Sequence, residues 1–386
     1  MEMQTVARPP RFAPDYWLFH LTVLLVAIGI LIVYDASYVH SIGLKRTGYD
    51  ALYYLKRQAL WATVGLFLMF WVMKCGYWRL RGWAYLLLGL SLVGLIAVFY
   101  MPSEMAVAKG AARWIKFGSV QFQPSEFAKL SLVIYLANVL SRKNYPIRDF
   151  WRGLCPQLFV VGGVALLVER EPDLGTAFVI GLVAITMFYA AGARKRHLLV
   201  IMICAGILVL LATKGHDYRW NRIRVLLNPE GDYHGAGYQI VHGLLAVGSG
   251  GPTGVGLGEG RGKYYLPESN TDFIFATIAE ETGLWGSLLV LGLVMLLVRR
   301  GLCIALRAQD PFGMLLATGI TAIIGWQSIL NIAVVTNSLP ATGVPLPFIS
   351  YGGSSLMFLL IGVGILLNIA QNPEFPMRNR LHRRSA

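Results

Sequence analysis

Ten apolar runs set the rhythm of the chain: 17–36, 58–74, 83–100, 124–141, 154–168, 174–191, 197–213, 273–298, 311–333 and 350–370. Runs near twenty residues match a helix crossing about 30 Å of hydrocarbon, a length a soluble domain does not need so often. The pattern predicts an all-α polytopic membrane protein, a single domain over 1–386 with ten transmembrane helices. The fifth run is short, which tilt or a kink accommodates. The first follows the tail 1–16, is long enough to span, and lacks a small-residue cleavage site, so it reads as a retained helix.

Between the seventh and eighth runs lies a long segment, 214–272, too long for a plain connector. Within it YQIVHGLLAV (238–247) is apolar but too short to span, which fits a re-entrant or interfacial helix. GSGGPTGVGLGEGRGK (248–263) follows, a glycine-rich stretch that reads either as a flexible loop or as backbone N–H groups brought close to an anion.

Composition agrees with the pattern: 56% of the 386 residues are hydrophobic and 14% charged. The net charge of +14 changes the picture only once it is mapped. With both termini inside, the whole excess falls on the tails 1–16 and 372–386 and on the short basic loops, such as SRKNYPIRDFWRG (141–153) and GARKRH (192–197), and the remaining segments balance. That is the positive-inside signal, which fixes cytoplasmic termini and calls for no nucleic-acid partner. Four scattered cysteines suggest neither disulfides nor a zinc site, and the histidines show no ligand spacing, so no metal site is readable.

The opposite side carries the chemistry. Asp272, in YYLPESNTDFIFATIAEE (264–281), precedes the eighth run and has two compatible readings: a helix N-cap, or a carboxylate at the outer surface able to take a proton from a bound alcohol. Glu280, eight residues on, is read as sharing its face, where it extends a polar stripe inward or bonds a neighbouring helix; Glu280 and Glu281 together are expected to support the helix that holds Asp272. Glu126 and Lys129, in QPSEFAKL, lie three apart on one helix face, either a self-neutralising pair or the polar floor of a cavity. Asp173, in EREPDLGT, sits in a tight turn. Arg219, Arg222 and Arg224 flank Trp220 in one outer loop, and Lys109, Arg113 and Lys116 repeat the arrangement in another; such clusters suit phosphate groups, of phospholipid or of a substrate. The uncharged loop NSLPATGVPLPFISYGGSS (337–355) is irregular backbone near membrane depth, tolerated where it is buried or lines a cavity.

QPSEFAKL, EPDLGTA, GAGYQIVHGLLAVGSGG, YLPESNTDFIFATIAEE and LPATGVPLPFISYGGSS, in this order, resemble the signature segments of the SEDS family (shape, elongation, division and sporulation), which includes FtsW, RodA and SpoVE. The resemblance implies a peptidoglycan glycosyltransferase that polymerises lipid II at the outer face of the inner (plasma) membrane, working with a class B penicillin-binding protein in the division or elongation machinery. It implies Asp272 as the catalytic aspartate. Glu126, Lys129, Asp173, Arg113, Arg219, Arg222, Lys263, Ser350 and Tyr351 are then expected to bind substrate or line its cavity. A divalent cation, Mg or Mn, is the one cofactor left open. Asn270 and Asp35 depart from the family pattern, which often has His at the first and a small polar residue at the second. The short stretch between GSGG and LPE leans toward the FtsW and SpoVE branch. Two other classes stand beside the enzyme: a lipid II flippase, and a scaffold that recruits a penicillin-binding protein.

Overall fold

The computed structural model describes residues 14–43, 48–101, 107–108, 111–117, 120–214, 217–228, 231, 236–266 and 268–371; most of both tails, and Lys109, lie outside them. Every apolar run is helical: α1 Tyr16–Gly43, α2 Tyr53–Lys74, α3 Arg79–Tyr100, α4 Pro124–Leu140, α5 Cys155–Arg170, α6 Leu174–Ala190 and α7 Lys195–Lys214. The long segment adds α8 Asp217–Leu227 and α9 Ala236–Ser249, and α10 Ile274–Arg307, α11 Pro311–Val335 and α12 Gly353–Gln371 complete the chain. A π-turn, Phe150–Leu154, runs into α5. Among the described residues, six helices are long and apolar enough to cross a membrane: α1, α3, α5 with its π-turn, α10, α11 and α12.

The helical membrane fold carries one addition and one correction. In the connection between α3 and α4, Val107–Ala108 (β1) pairs with Ala111–Ala112 (β2) and Ile115–Phe117 (β3) with Val120–Phe122 (β4), giving two short antiparallel hairpins. Arg219, Arg222 and Arg224 are not on a loop but on α8.

The bundle is built around α4, in which every residue but Phe127 is buried. It packs against α3, α11, α6, α12 and α5, while α12 lies along α2 and α1 along α10. Small residues permit this closeness, as elsewhere in membrane bundles. A Cβ on Gly319 of α11 would fall 2.5 Å from Val133 of α4 and 2.8 Å from the Met187 sulfur of α6.

Contacts at the helix ends fix two levels. At one end Arg300 lies 3.8 Å from Asp15, and the Tyr77 hydroxyl donates to Asp310 while the Tyr77 N–H donates to Asn368 at 2.8 Å. About twenty residues along α1, and as many back along α10, Asp35 and Glu281 meet the same lysine, Lys263. At a rise of 1.5 Å per residue the two levels are roughly 30 Å apart, the thickness of a bilayer core.

α10 is interrupted at Gly283 (φ 65°, ψ −160°). The glycine-rich stretch fills the break with backbone. Val255 and Gly256 donate to the Glu280 and Glu281 carbonyls, and Leu284 and Trp285 donate to the Gly251 and Pro252 carbonyls. The stretch is therefore no flexible loop but a splint across a broken helix. No side chain fits at the break, since a Cβ on Gly283 would lie 2.3 Å from the Gly254 nitrogen.

Candidate active site

Asp272 lies in a turn, 268–273, in which Thr271 and Phe273 donate to the Glu268 carbonyl. The N-cap of α10 is Phe273, with no side-chain cap, so the N-cap reading of Asp272 does not hold. The helical spacing argument linking it to Glu280 fails for the same reason: Asp272 stands outside the helix. Its main chain is pinned from far along the sequence. Asn331 of α11 donates its amide to both the Asp272 carbonyl and the Val344 carbonyl, each at 2.8 Å. The Ser350 hydroxyl donates to the Thr271 carbonyl at 2.7 Å and accepts the Leu346 N–H at 2.8 Å. Tyr351 donates its N–H to the Asn270 carbonyl, and its ring meets Tyr54 edge-on. These anchors leave the half-buried carboxylate against Gly343, where a Cβ would sit 3.3 Å from its Oδ2.

The loop around Gly343 is the hub of the outer end. Arg222 donates to the Ala341 carbonyl at 2.6 Å. The Thr342 carbonyl lies so close to Gly175 that a Cβ there would approach it to 2.4 Å. Gly175 lies in the first turn of α6, two residues after Asp173, which is the N-cap of that helix: its carboxylate accepts the Thr176 N–H at 3.1 Å and hydroxyl at 2.9 Å, and the Gln123 amide at 3.3 Å. Within four consecutive residues, 341–344, the loop thus touches Arg222, the Asp173 turn, Asp272 and Asn331. The side chain of Arg219 lies outside the described residues.

Glu126 and Lys129 form an ion pair of 2.8 Å at the start of α4, with only 4% and 3% of the side chains exposed. Gln123, just before them, joins them in sequence to the Asp173 turn. Lys263 lies elsewhere: its ammonium is 2.8 Å from Asp35 and 3.2 Å from Glu281. The anion expected at the glycine-rich backbone is the protein's own. Glu281 accepts the Gly258 and Gly260 N–H groups, and Glu280 accepts those of Arg261 and Gly262. Glu280 and Glu281 therefore hold the splint rather than a neighbouring helix.

Three participants were missed in the sequence. Asn331 was visible as an amide inside an apolar run, an expensive placement that asks for partners. Gly343 carried no signal. Glu171 stands next to a turn that drew attention only to Asp173. It is fully buried, and neither carboxyl oxygen has a hydrogen-bond partner among the described residues. Arg113 spends its donors on main chain, giving 2.9 Å to the Glu171 carbonyl and a second bond to the Pro172 carbonyl. Burial, with the nearby Asp173 charge, pushes the Glu171 carboxyl up to about 8, against the pull of Arg113. The folded protein then keeps a proton that the unfolded chain has lost, so stability falls as pH rises from the ordinary carboxylate range to about 8 and levels off above it. Glu171→Gln is expected to flatten that decline, read by denaturant unfolding in detergent between pH 5 and pH 9; an unchanged slope would assign the dependence to another group.

The family of cell cycle proteins comprising FtsW, RodA and SpoVE matches residues 16–374. A Geobacter sulfurreducens protein named a probable peptidoglycan glycosyltransferase FtsW is 41% identical over 357 residues, covering 92% of this chain and 95% of its own. Stage V sporulation protein E of Bacillus subtilis is 42% identical over 366 residues, covering 94% and 98%. Among solved structures, a chain of a peptidoglycan synthase complex described as coordinating polymerization and crosslinking superposes with a TM-score of 0.79 at 30% identity, covering 94% of this chain and 99% of that one. The rod shape determining protein RodA of Thermus thermophilus gives 0.69 at 30% identity with the same coverage.

Proposed function

The chain belongs to the FtsW, RodA and SpoVE family of cell cycle proteins, and from that premise we propose that it is a multi-pass inner-membrane peptidoglycan glycosyltransferase, polymerising lipid II at the outer face. The observation that carries the reading is the Asp272 carboxylate, on a turn whose main chain is anchored by Asn331 and Ser350 at the end of the bundle opposite the Arg300–Asp15 pair. All ten long helices act as spans and both termini are cytoplasmic. The contacts that tie Tyr77 to Asp310 and Asn368 at one end, and Arg222, Asp173 and Asp272 to one loop at the other, support that arrangement.

The reaction is an inverting displacement. The 4-hydroxyl of one lipid-linked disaccharide attacks the anomeric carbon of another, the bond to undecaprenyl pyrophosphate breaks, and Asp272 takes the hydroxyl proton, a contribution of about 10²–10⁴-fold. Developing charge on the pyrophosphate is met by the α8 arginines, Arg219 and Arg222, in the manner of other preorganised cationic sites. A divalent cation, if bound, would add charge at the same place. No group of three or more His, Cys, Asp or Glu among the described residues is arranged to hold one, and no step is assigned to it. Glu126, Lys129, Asp173 and Arg113 shape the polar wall beside the acceptor, while Ser350 and Tyr351 position the Asp272 turn. Lys263 serves the splint under it. A class B penicillin-binding protein is the partner that crosslinks the product.

Full-length protein with its class B partner, given lipid II in liposomes, is expected to form glycan chains resolved by gel electrophoresis. Movement of lipid II between leaflets without any polymer would replace the enzyme by a flippase. The gathering of Asp272, Asp173, Arg222 and the Glu126–Lys129 pair toward one end of the bundle, rather than at its middle, favours the enzyme.

A further inference from the structure

On the face opposite Asp272, a cavity of about 660 Å³ opens between the 145–151 segment and the start of α7. Arg148, Arg194 and His197 line it. Both arginines are exposed, and neither guanidinium has a hydrogen bond or ion pair among the described residues. The His197 Nδ1 is buried without a partner. Asp149 is the single carboxylate of the lining, and its Oδ1 is already engaged by the Arg152 N–H at 3.0 Å.

The cavity is built, not a chance gap between mobile side chains. The Tyr145 hydroxyl donates to the Gly153 carbonyl at 2.7 Å and accepts from Gln157 at 2.9 Å, tying the segment to α5. Phe150 packs edge-on against the His197 ring. Trp151 at the rim is 75% exposed, the placement of an indole at a membrane–water boundary. Away from the cavity, α5 and α7 both pack on α6 and leave Phe159, Leu166, Leu199 and Ile203 exposed. A cationic recess thus opens beside apolar helix surface at the inner level of the bundle.

We infer that this recess binds the headgroup phosphate of an anionic phospholipid of the inner leaflet, with its acyl chains along the exposed faces of α5 and α7. Charge selects the occupant: two unpaired guanidinium groups and an imidazole face the opening, and basic recesses between helices on the cytoplasmic side suit such headgroups. A guanidinium pair holds a phosphate diester through parallel N–H bonds, which a zwitterionic headgroup satisfies less well because it brings its own cation. The inference is independent of the chemistry at Asp272.

The test uses the full chain in nanodiscs of mixed phosphatidylglycerol and phosphatidylethanolamine, with retained lipid read by native mass spectrometry. The wild type is expected to retain phosphatidylglycerol preferentially. Arg148→Ala with Arg194→Ala should lower that preference by about 30-fold, the weight of two cations near a charged surface. Arg299→Ala with Arg307→Ala removes the same charge from the same side and should leave the preference intact. An equal drop in both double variants would reduce the effect to diffuse surface charge and overturn the site. Displacement of the lipid by millimolar inorganic phosphate would reassign it to a soluble phosphate. Equal retention of both lipids by the wild type would leave the recess to a segment of a partner protein. Because all four side chains are exposed, folding is expected to survive each change, checked by size-exclusion chromatography.

Discussion

Asp272→Asn is expected to lower glycan polymerisation by about 10²–10⁴-fold, the usual weight of a positioned general base, while the protein folds and binds its partner as before. The reason lies in how the residue is held. Its turn is anchored through main-chain carbonyls by Asn331 and Ser350, so exchanging the side chain leaves the anchors in place. Asparagine keeps the shape and removes the proton acceptor. Initial rates of polymer formation from lipid II, with unfolding and partner binding measured alongside, check the expectation. Equal rates in wild type and variant would remove Asp272 as the base. A loss of rate with a loss of folding would point to the carboxylate as a structural contact with the Gly343 loop.

The second large effect belongs to the buried pair in α4. Lys129→Met strands the Glu126 carboxylate in surroundings that leave it 4% exposed, and breaking a buried pair on one side costs about 3–5 kcal/mol. Removing both charges, by Glu126→Gln with Lys129→Met, should recover most of that loss, because a neutral pair of similar volume is close to neutral in energy. Denaturant unfolding in detergent reads the stability of the three proteins. Polymerisation by the double variant then separates two roles. A stable but inactive double variant assigns the pair to substrate, whereas a stable and active one makes it purely structural. If the single variant proves as stable as wild type, Glu126 has another partner and the pairing argument is lost.

Much of the helical frame was legible because burial in lipid demands long uninterrupted apolar runs, and each run became a helix. The hairpins were not, although Gly118-Ser119 between two short apolar stretches is a turn signal of the right kind; the surrounding lysines and arginines drew the reading toward phosphate binding instead. Glu126–Lys129 was readable from spacing alone, since three residues on a helix bring side chains together. Asp173 was readable as a turn residue and proved to be a cap. Asp272 was visible as a carboxylate at the head of an apolar run, but its setting was not. Asn331, Ser350 and Gly343 lie some sixty to eighty positions away, and nothing local announces a contact made across such a distance. The partners of Glu280 and Glu281 were hidden for the same reason: they are main-chain N–H groups about twenty residues upstream, in a stretch whose glycines read equally well as slack. Glu171 was passed over because a buried acid without a partner has no signature in sequence at all.

The splint across Gly283 has a consequence for how this protein can change over evolutionary time. Outside the Glu280 and Glu281 carboxylates that hold it, the repair is made of main chain, so along 251–257 it places few demands on the identity of side chains. Thr253, Val255 and Leu257 all point outward, and substitutions at these positions are expected to accumulate freely. Gly250, Gly254 and Gly283 are different, because any added carbon would collide with main-chain atoms within 3 Å. A lineage of such chains should therefore show a region that looks unconstrained by composition yet is rigid in length and in its glycines, and a single inserted residue there would be felt at Asp272.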